Sequence, residues 1–323
     1  MLVFTLVVTT CINAQSCPHS QGGLTLFSSL ANWNMTGSDL TISTAVKVDK
    51  SPGVTLRSII VASGGSLIFD NTLLNLDVEF IRVDAGGKFI AGSETCEINN
   101  KITITFFGSK TTANIIGKDP YDNTTTGYKG FVAMSGAYVS IWGKLQTPAW
   151  TDLAETARNG SSIIKVRDAT TWGVGDKLVI ASTDYGEILD YRKKYNYTQP
   201  SWRLGVAFPD QNEERVISAI IDSTTIQLDR PLNYTHWGQG LARAEVGLLN
   251  RYIVFRGDES SVSTEFGGHI MLRVLEQCEV SGIEVYRMGQ TGLMGRYSFH
   301  FHVLAEKSFE SSKRFFLKGK LKI

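Results

Sequence analysis

The chain has 323 residues, 42% of them hydrophobic and 20% charged, which supports one large domain or two ordinary ones and excludes a disordered chain. Lys and Arg number 32 against 31 Asp and Glu, a formal net charge of +1. That balance supplies no basic field, so no nucleic acid is expected among the partners.

Residues 1–14 read as a secretory signal peptide: a short apolar run, then small or polar residues with Ala14 before a plausible cut. The run is too short to span a bilayer, which takes about 20 apolar residues. No other segment is apolar enough, so no transmembrane segment is expected. Five N-x-S/T sequons, at Asn34, Asn123, Asn159, Asn196 and Asn233, fit an exported glycoprotein. Loss of the leader removes Cys11 and leaves Cys17, Cys96 and Cys278. In an oxidising compartment one disulfide and one spare thiol follow. Cys17 and Cys96 flank the N-terminal β region and are the expected pair. The cysteine spacings do not read as a zinc site.

A repeated unit comes next. "IIVASGGSLIF" (59–69), "FIRVDAGGKFIAG" (80–92) and "GFVAMSGAYVSIWG" (130–143) each give an apolar strand, a small-residue turn with glycine, and an alternating strand. In that register Val61, Val83 and Ala133 stack, as do Leu67, Phe89 and Val139. Repeats of strand and turn at this period point to a solenoid. Further short strands follow in "KITITFFG" (101–108), "SIIKVRD" (162–168), "DKLVIAS" (176–182), "RVISAII" (215–221), "TTIQLDRPL" (224–232) and "RYIVFRG" (251–257). "TDLAETA" (151–157) is the one helix candidate, with Thr151 as N-cap. The expected fold class is all-β, a right-handed parallel β-helix, with a β-sandwich as the alternative.

The motifs "SGGSL", "AGGKFIAGSETC", "KITITFFG", "GAYVSIWGK" and "PAWTDL", with Trp33, resemble the G-eight domain over residues 24–153. The runs "WGVGDKLVIASTDY", "RAEVGLLNRYIVFRG", "FGGHI" and "GQTGLMGRYSFHFH" are similar to the β-helix that follows this domain in fibrocystin-L and in the hyaluronan-binding and hyaluronidase proteins of the same family. The resemblance implies a β-helix region over 154–302. It also implies either binding of an extracellular polysaccharide of the hyaluronan type, or of a surface glycoprotein, or a hyaluronidase-like depolymerase activity. About twenty residues separate Leu153 from Trp172, where the hyaluronan-degrading relatives carry an additional domain, so the layout is closer to fibrocystin-L. The last segment, 303–323, carries six basic and two acidic residues after Ala305 and no coil pattern. It reads as a truncated or frame-shifted end, or else as a basic amphipathic tail.

The candidate chemistry gathers late in the chain. In an extended "RYSFHFH", Arg296, Ser298, His300 and His302 share one face and Tyr297, Phe299 and Phe301 the other. Asp184, Glu245, His300 and His302 are the candidate catalytic residues, since glycosidic cleavage takes an acid with a base or nucleophile and imidazole titrates near neutrality. Arg243, His269, Gln290 and Arg296 are candidate binding residues. No cofactor is certain; His300 and His302, with Asp184 or Glu245, are the set that could hold a divalent metal such as calcium. Structural readings stand beside each. The histidine pair can be the polar side of a coil, Arg243 and Glu245 a cross-strand ion pair, and His269 a turn cap. His236, beside the Asn233 sequon, is expected at the surface.

Overall fold

The computed structural model describes residues 16–111, 126–183 and 211–302, and the backbone of 315–318. The chain divides into two units: Leu145–Arg251, and the residues that precede and follow that stretch.

In the unit formed by the flanking residues every named strand pair is parallel. The strand Asp39–Ile42 pairs with Thr55–Val61, which pairs with Leu74–Val83. Leu74–Val83 is long enough to serve two neighbours, Ile102–Phe106 beside its first half and Gly130–Ala133 beside its second. Side chains alternate along each strand, so identical faces stack from coil to coil. Ile42, Val61, Val83, Ala133, Leu272 and Phe301 therefore form one inward column. Val46, Leu67, Phe89, Val139 and Cys278 form a second. Both contain the register expected from the repeat. Phe89 sits where columns meet, with ring centroids 5.1 Å from Phe69 and 4.9 Å from Phe131.

Glycine fixes the corner between these two columns. Gly64 N donates to Gly86 O at 3.1 Å, and Gly86 N donates to Gly136 O at 2.9 Å. All three have positive φ, +79°, +75° and +81°. A Cβ on Gly86 would lie 2.8 Å from Ser63 Oγ, so the stack needs glycine for both conformation and space. A disulfide joins Cys17 to Cys96, with Cα atoms 5.5 Å apart. Cys278 is buried and unbonded.

Leu145–Arg251 is built differently. Trp150–Asp152, Glu245–Leu248, Lys177–Ile180, Glu213–Ile220, Thr225–Leu228 and Ile163–Lys165 pair antiparallel in that order. They enclose a separate core that includes Leu153, Trp172, Leu178, Ile217, Ile226 and Val246. The expectation of parallel coils throughout 154–302 thus fails for this stretch. The reason is local: only Ile221–Thr224 separates two of these strands, and so short a link returns the chain antiparallel. Asp222 closes that turn, accepting from Thr224 N and Thr225 N at 2.8 Å each. The expected helix at 151–157 is also absent. Trp150–Asp152 is a strand on Glu245–Gly247, and Leu153 forms a bridge to Val166. Pairing and burial of Thr151 and Leu153 override a weak helical preference.

Within 303–323, expected to lack coil pattern, Phe315–Lys318 is a strand parallel to Cys278–Ser281. Among the described residues no helix is long and apolar enough to cross a membrane.

Candidate functional site

The strand His300–Phe301 extends the parallel sheet, with His300 in register with Met271 and Phe301 with Leu272. His302 N donates to Leu272 O at 2.8 Å. The alternation expected from sequence holds for Phe299 and Phe301, which pack on the core, but not for Tyr297, which is exposed beside His300. His300 and His302 are half-buried, and their Nε2 and Nδ1 atoms are 3.1 Å apart. The Tyr297 ring lies 4.9 Å from His300. Burial first, then the neighbouring His302 and Arg296, hold His300 below the usual imidazole range. His300 therefore favours a neutral ring near pH 7, able to pass a proton or ligate a cation.

Arg296 and Ser298 do not share that strand. Arg296 packs its guanidinium against Gly127, and burial pulls its pKa below the ordinary value. Ser298 Oγ donates to Met288 O at 2.7 Å.

His269 and Gln290 lie behind this edge and are buried. His269 Nε2 is 3.1 Å from Thr126 O and Nδ1 is 3.1 Å from Lys129 O. Gln290 Nε2 donates to Tyr128 O and Gly267 O, both at 3.1 Å, and lies 3.4 Å from His269 Nδ1. Both ring nitrogens face carbonyl oxygens, so a neutral ring donates to either Thr126 O or Lys129 O, and with the proton on Nε2 its Nδ1 accepts from Gln290. Burial, reinforced by the Arg296 charge, pushes the His269 pKa down to about 3. The residue opposite is Gly130, where a Cβ would fall 2.3 Å from His269 O. His269 and Gln290 are thus placed as a hydrogen-bonded wedge and not as open binding groups.

Lys129, which the sequence did not single out, is buried beside them. Its Nζ donates among Phe266 O (2.8 Å), Gly108 O (3.0 Å), Ser261 Oγ (3.1 Å) and Asp258 Oδ1 (3.2 Å). Burial lowers its pKa while Asp258 opposes the shift. Four acceptors around three N–H groups leave it no donor for a ligand.

Glu245 and Arg243 belong to the antiparallel unit, so the proposed catalytic set is assembled within neither unit. Glu245 is exposed and stands opposite Asp152, which accepts from Arg167 at 3.1 Å. Arg243 does not pair with it there. Its Nη1 donates to Leu153 O at 3.1 Å and its Nε to Gly240 O at 3.0 Å. Asp184 lies outside the described residues.

His236 is fully buried, contrary to the surface position expected. Its Nε2 is 3.0 Å from Glu213 Oε1 and its Nδ1 is 2.9 Å from Ala181 O. Glu213 also takes Asn233 N and Tyr234 N, at 2.9 Å each, and the Arg215 guanidinium. Although burial would raise its pKa, these donors hold the carboxyl below the usual range. The loop is pinned by its histidine, with Asn233 left exposed. Asn34 and Asn159 are exposed too; Asn123 and Asn196 lie outside the described residues.

Comparison with known proteins places this architecture. The G8 domain model matches residues 31–154, and the CEMIP beta-helix model matches residues 265–320. This is a G8-domain protein. A G8 domain-containing protein of Dictyostelium discoideum is 34% identical over 247 residues, covering 76% of this chain and 19% of the relative. Protein rliB of the same organism is 30% identical over 308 residues, covering 92% and 25%. Human fibrocystin-L is 28% identical over 308 residues, covering 80% and 7%. The G8-domain chain therefore spans a quarter or less of each of these relatives. The Gp54 tailspike of an Acinetobacter baumannii phage, solved with capsular saccharide, aligns over 76% of the chain at 15% identity. Its TM-score of 0.24 is too low for any inference.

Proposed function

We propose that this G8-domain protein is a secreted or cell-surface glycoprotein whose parallel coils form a right-handed β-helix that binds an extracellular polysaccharide of the hyaluronan type. The observation that carries this reading is a row of side chains on one outward flank. Ser66, Lys88, Tyr138 and Gln277 occupy the same register position on successive strands. None of the four is buried, and Lys88 Nζ lies 5.7 Å from the Tyr138 ring centre. Neighbouring strands are about 4.8 Å apart, so the row presents a cation, an aromatic face and amide or hydroxyl groups at regular steps. An acidic polymer with apolar sugar faces suits that sequence of groups.

The test is titration of the chain against immobilised hyaluronan, other glycosaminoglycans and a neutral glucan. Saturable binding to the acidic polymers, weakened about tenfold by Tyr138→Ala and again by Lys88→Glu, is the expected result. Absence of saturable binding to any polymer would remove the glycan reading and leave a surface-glycoprotein partner.

The close His300–His302 pair, Nε2 to Nδ1 at 3.1 Å, supports a second reading, a hyaluronidase-like depolymerase with or without a divalent ion such as calcium. Incubation with long hyaluronan, with and without a chelator, decides it. Chains left unshortened at neutral and mildly acid pH would sink this version.

A further inference from the structure

The corner around the disulfide carries a group that the disulfide does not use. Cys17 precedes a single 3-10 turn, Pro18–Ser20, closed by Ser20 N donating to Cys17 O at 2.9 Å. The turn carries His19 back toward the sulfurs. Cys96 ends a tight reversal in which Ser93 N and Cys96 N each donate to the other's carbonyl at 3.0 Å. Both loops are therefore shaped by backbone hydrogen bonds as well as by the cross-link. The two Sγ atoms and a ring nitrogen of His19 all lie within 4.8 Å of one another. His19 Nδ1 is buried and has no hydrogen-bond partner among the described residues. An orphaned buried nitrogen is costly and calls for a partner that the oxidised corner does not supply.

We propose that reduction of Cys17–Cys96 converts this corner into a zinc(II) site with ligands Cys17 Sγ, Cys96 Sγ and a His19 ring nitrogen, and with the fourth position open to water. Zinc takes thiolate and imidazole ligands at about 2.3 and 2.0–2.1 Å in tetrahedral geometry, which sets ligand atoms roughly 3.5–3.8 Å apart. Three donors already inside 4.8 Å need only a small outward relaxation once the sulfur–sulfur bond is gone. In the reducing step a dithiol gives two electrons and two protons to the disulfide and leaves as its own cyclic disulfide. Zinc then displaces the two thiol protons, so binding tightens as pH rises. The sequence hides this site because its third ligand is a histidine two residues after one cysteine, and the remaining sulfur is 79 positions away from the first. The same loop is thus closed in either redox state, by a covalent bond or by a metal.

The experiment uses the full chain in a Cys11→Ser background, reduced with a phosphine that is then removed under inert gas. Zinc is titrated against a chromophoric chelator, and cobalt(II) serves as a spectroscopic stand-in. One more zinc per reduced chain than per oxidised chain is expected, with thiolate-to-cobalt charge-transfer absorption in the reduced chain alone. His19→Ala weakens binding by roughly 100-fold, whereas Cys278→Ala leaves it unchanged. Mass mapping of alkylation needs no variant: zinc protects Cys17 and Cys96 of the reduced parent. Equal alkylation with and without zinc, or zinc held as tightly by His19→Ala as by the parent, would overturn the proposal.

Discussion

His269 makes the stability of the parallel unit pH-dependent, and the size follows from its surroundings. The unfolded ring takes up a proton below about pH 6.5. In the folded chain it stays neutral until about 3, because burial and the Arg296 charge disfavour the imidazolium. The unfolded state therefore binds more protons between these values, so the contribution is present above about 6.5 and is lost as pH falls toward 3. From those two values the loss between pH 7 and pH 4 is about 3 kcal/mol. His269→Gln keeps an amide to donate to Thr126 O and removes the titration. Urea melts of parent and variant, taken at pH 7, 5 and 4, give the difference in which shared carboxylates cancel. We expect the variant to be less stable at pH 7 and to gain about 2–3 kcal/mol on the parent by pH 4. A difference that stays constant within about 0.5 kcal/mol across this range would refute the assignment of a neutral, buried imidazole.

Other consequences are as direct. Lys129→Met leaves Asp258 and two carbonyl oxygens without their ammonium, and removal of one partner from a buried pair costs about 3–5 kcal/mol; Asp258→Asn in the same chain restores part of it, and strictly additive urea midpoints would contradict the pairing. Cys17→Ser opens a loop of 79 residues and lowers stability by about 4–5 kcal/mol on the chain-entropy account, read as a drop in melting temperature that parent and variant no longer show once both are reduced without metal. Burial pushes the Cys278 thiol up to about 12, so iodoacetamide at pH 8 should label it only in denaturant; rapid labelling of the native chain would place it elsewhere. Three backbone and hydroxyl donors from Thr224 and Thr225 hold the Asp222 carboxyl at about 2. Its carboxyl carbon resonance should titrate near that value, with the turn's hydrogen bonds present above pH 4 and lost as pH falls through 2.

The sequence by itself determined the strands of the glycine repeat, their register and the columns Val61–Val83–Ala133 and Leu67–Phe89–Val139. Side-chain alternation has a period of two, and the turn needs positive φ at a fixed place, so both leave marks that a short window can read. The face on which His300 and His302 stand was legible for the same reason. Strand direction across Leu145–Arg251 went against the parallel coils expected, because a four-residue link such as Ile221–Thr224 returns the chain antiparallel. What only the tertiary structure decided is which polar groups are enclosed. His236 looked exposed beside a sequon, yet Glu213, 23 positions away, holds it inside. Nothing local singles out Lys129, which Gly108, Asp258 and Phe266 enclose. His19 met Cys96 across a stretch that only the folded coils bring together. Burial and hydrogen bonding depend on partners distant in the chain, and no local pattern encodes where those partners will be.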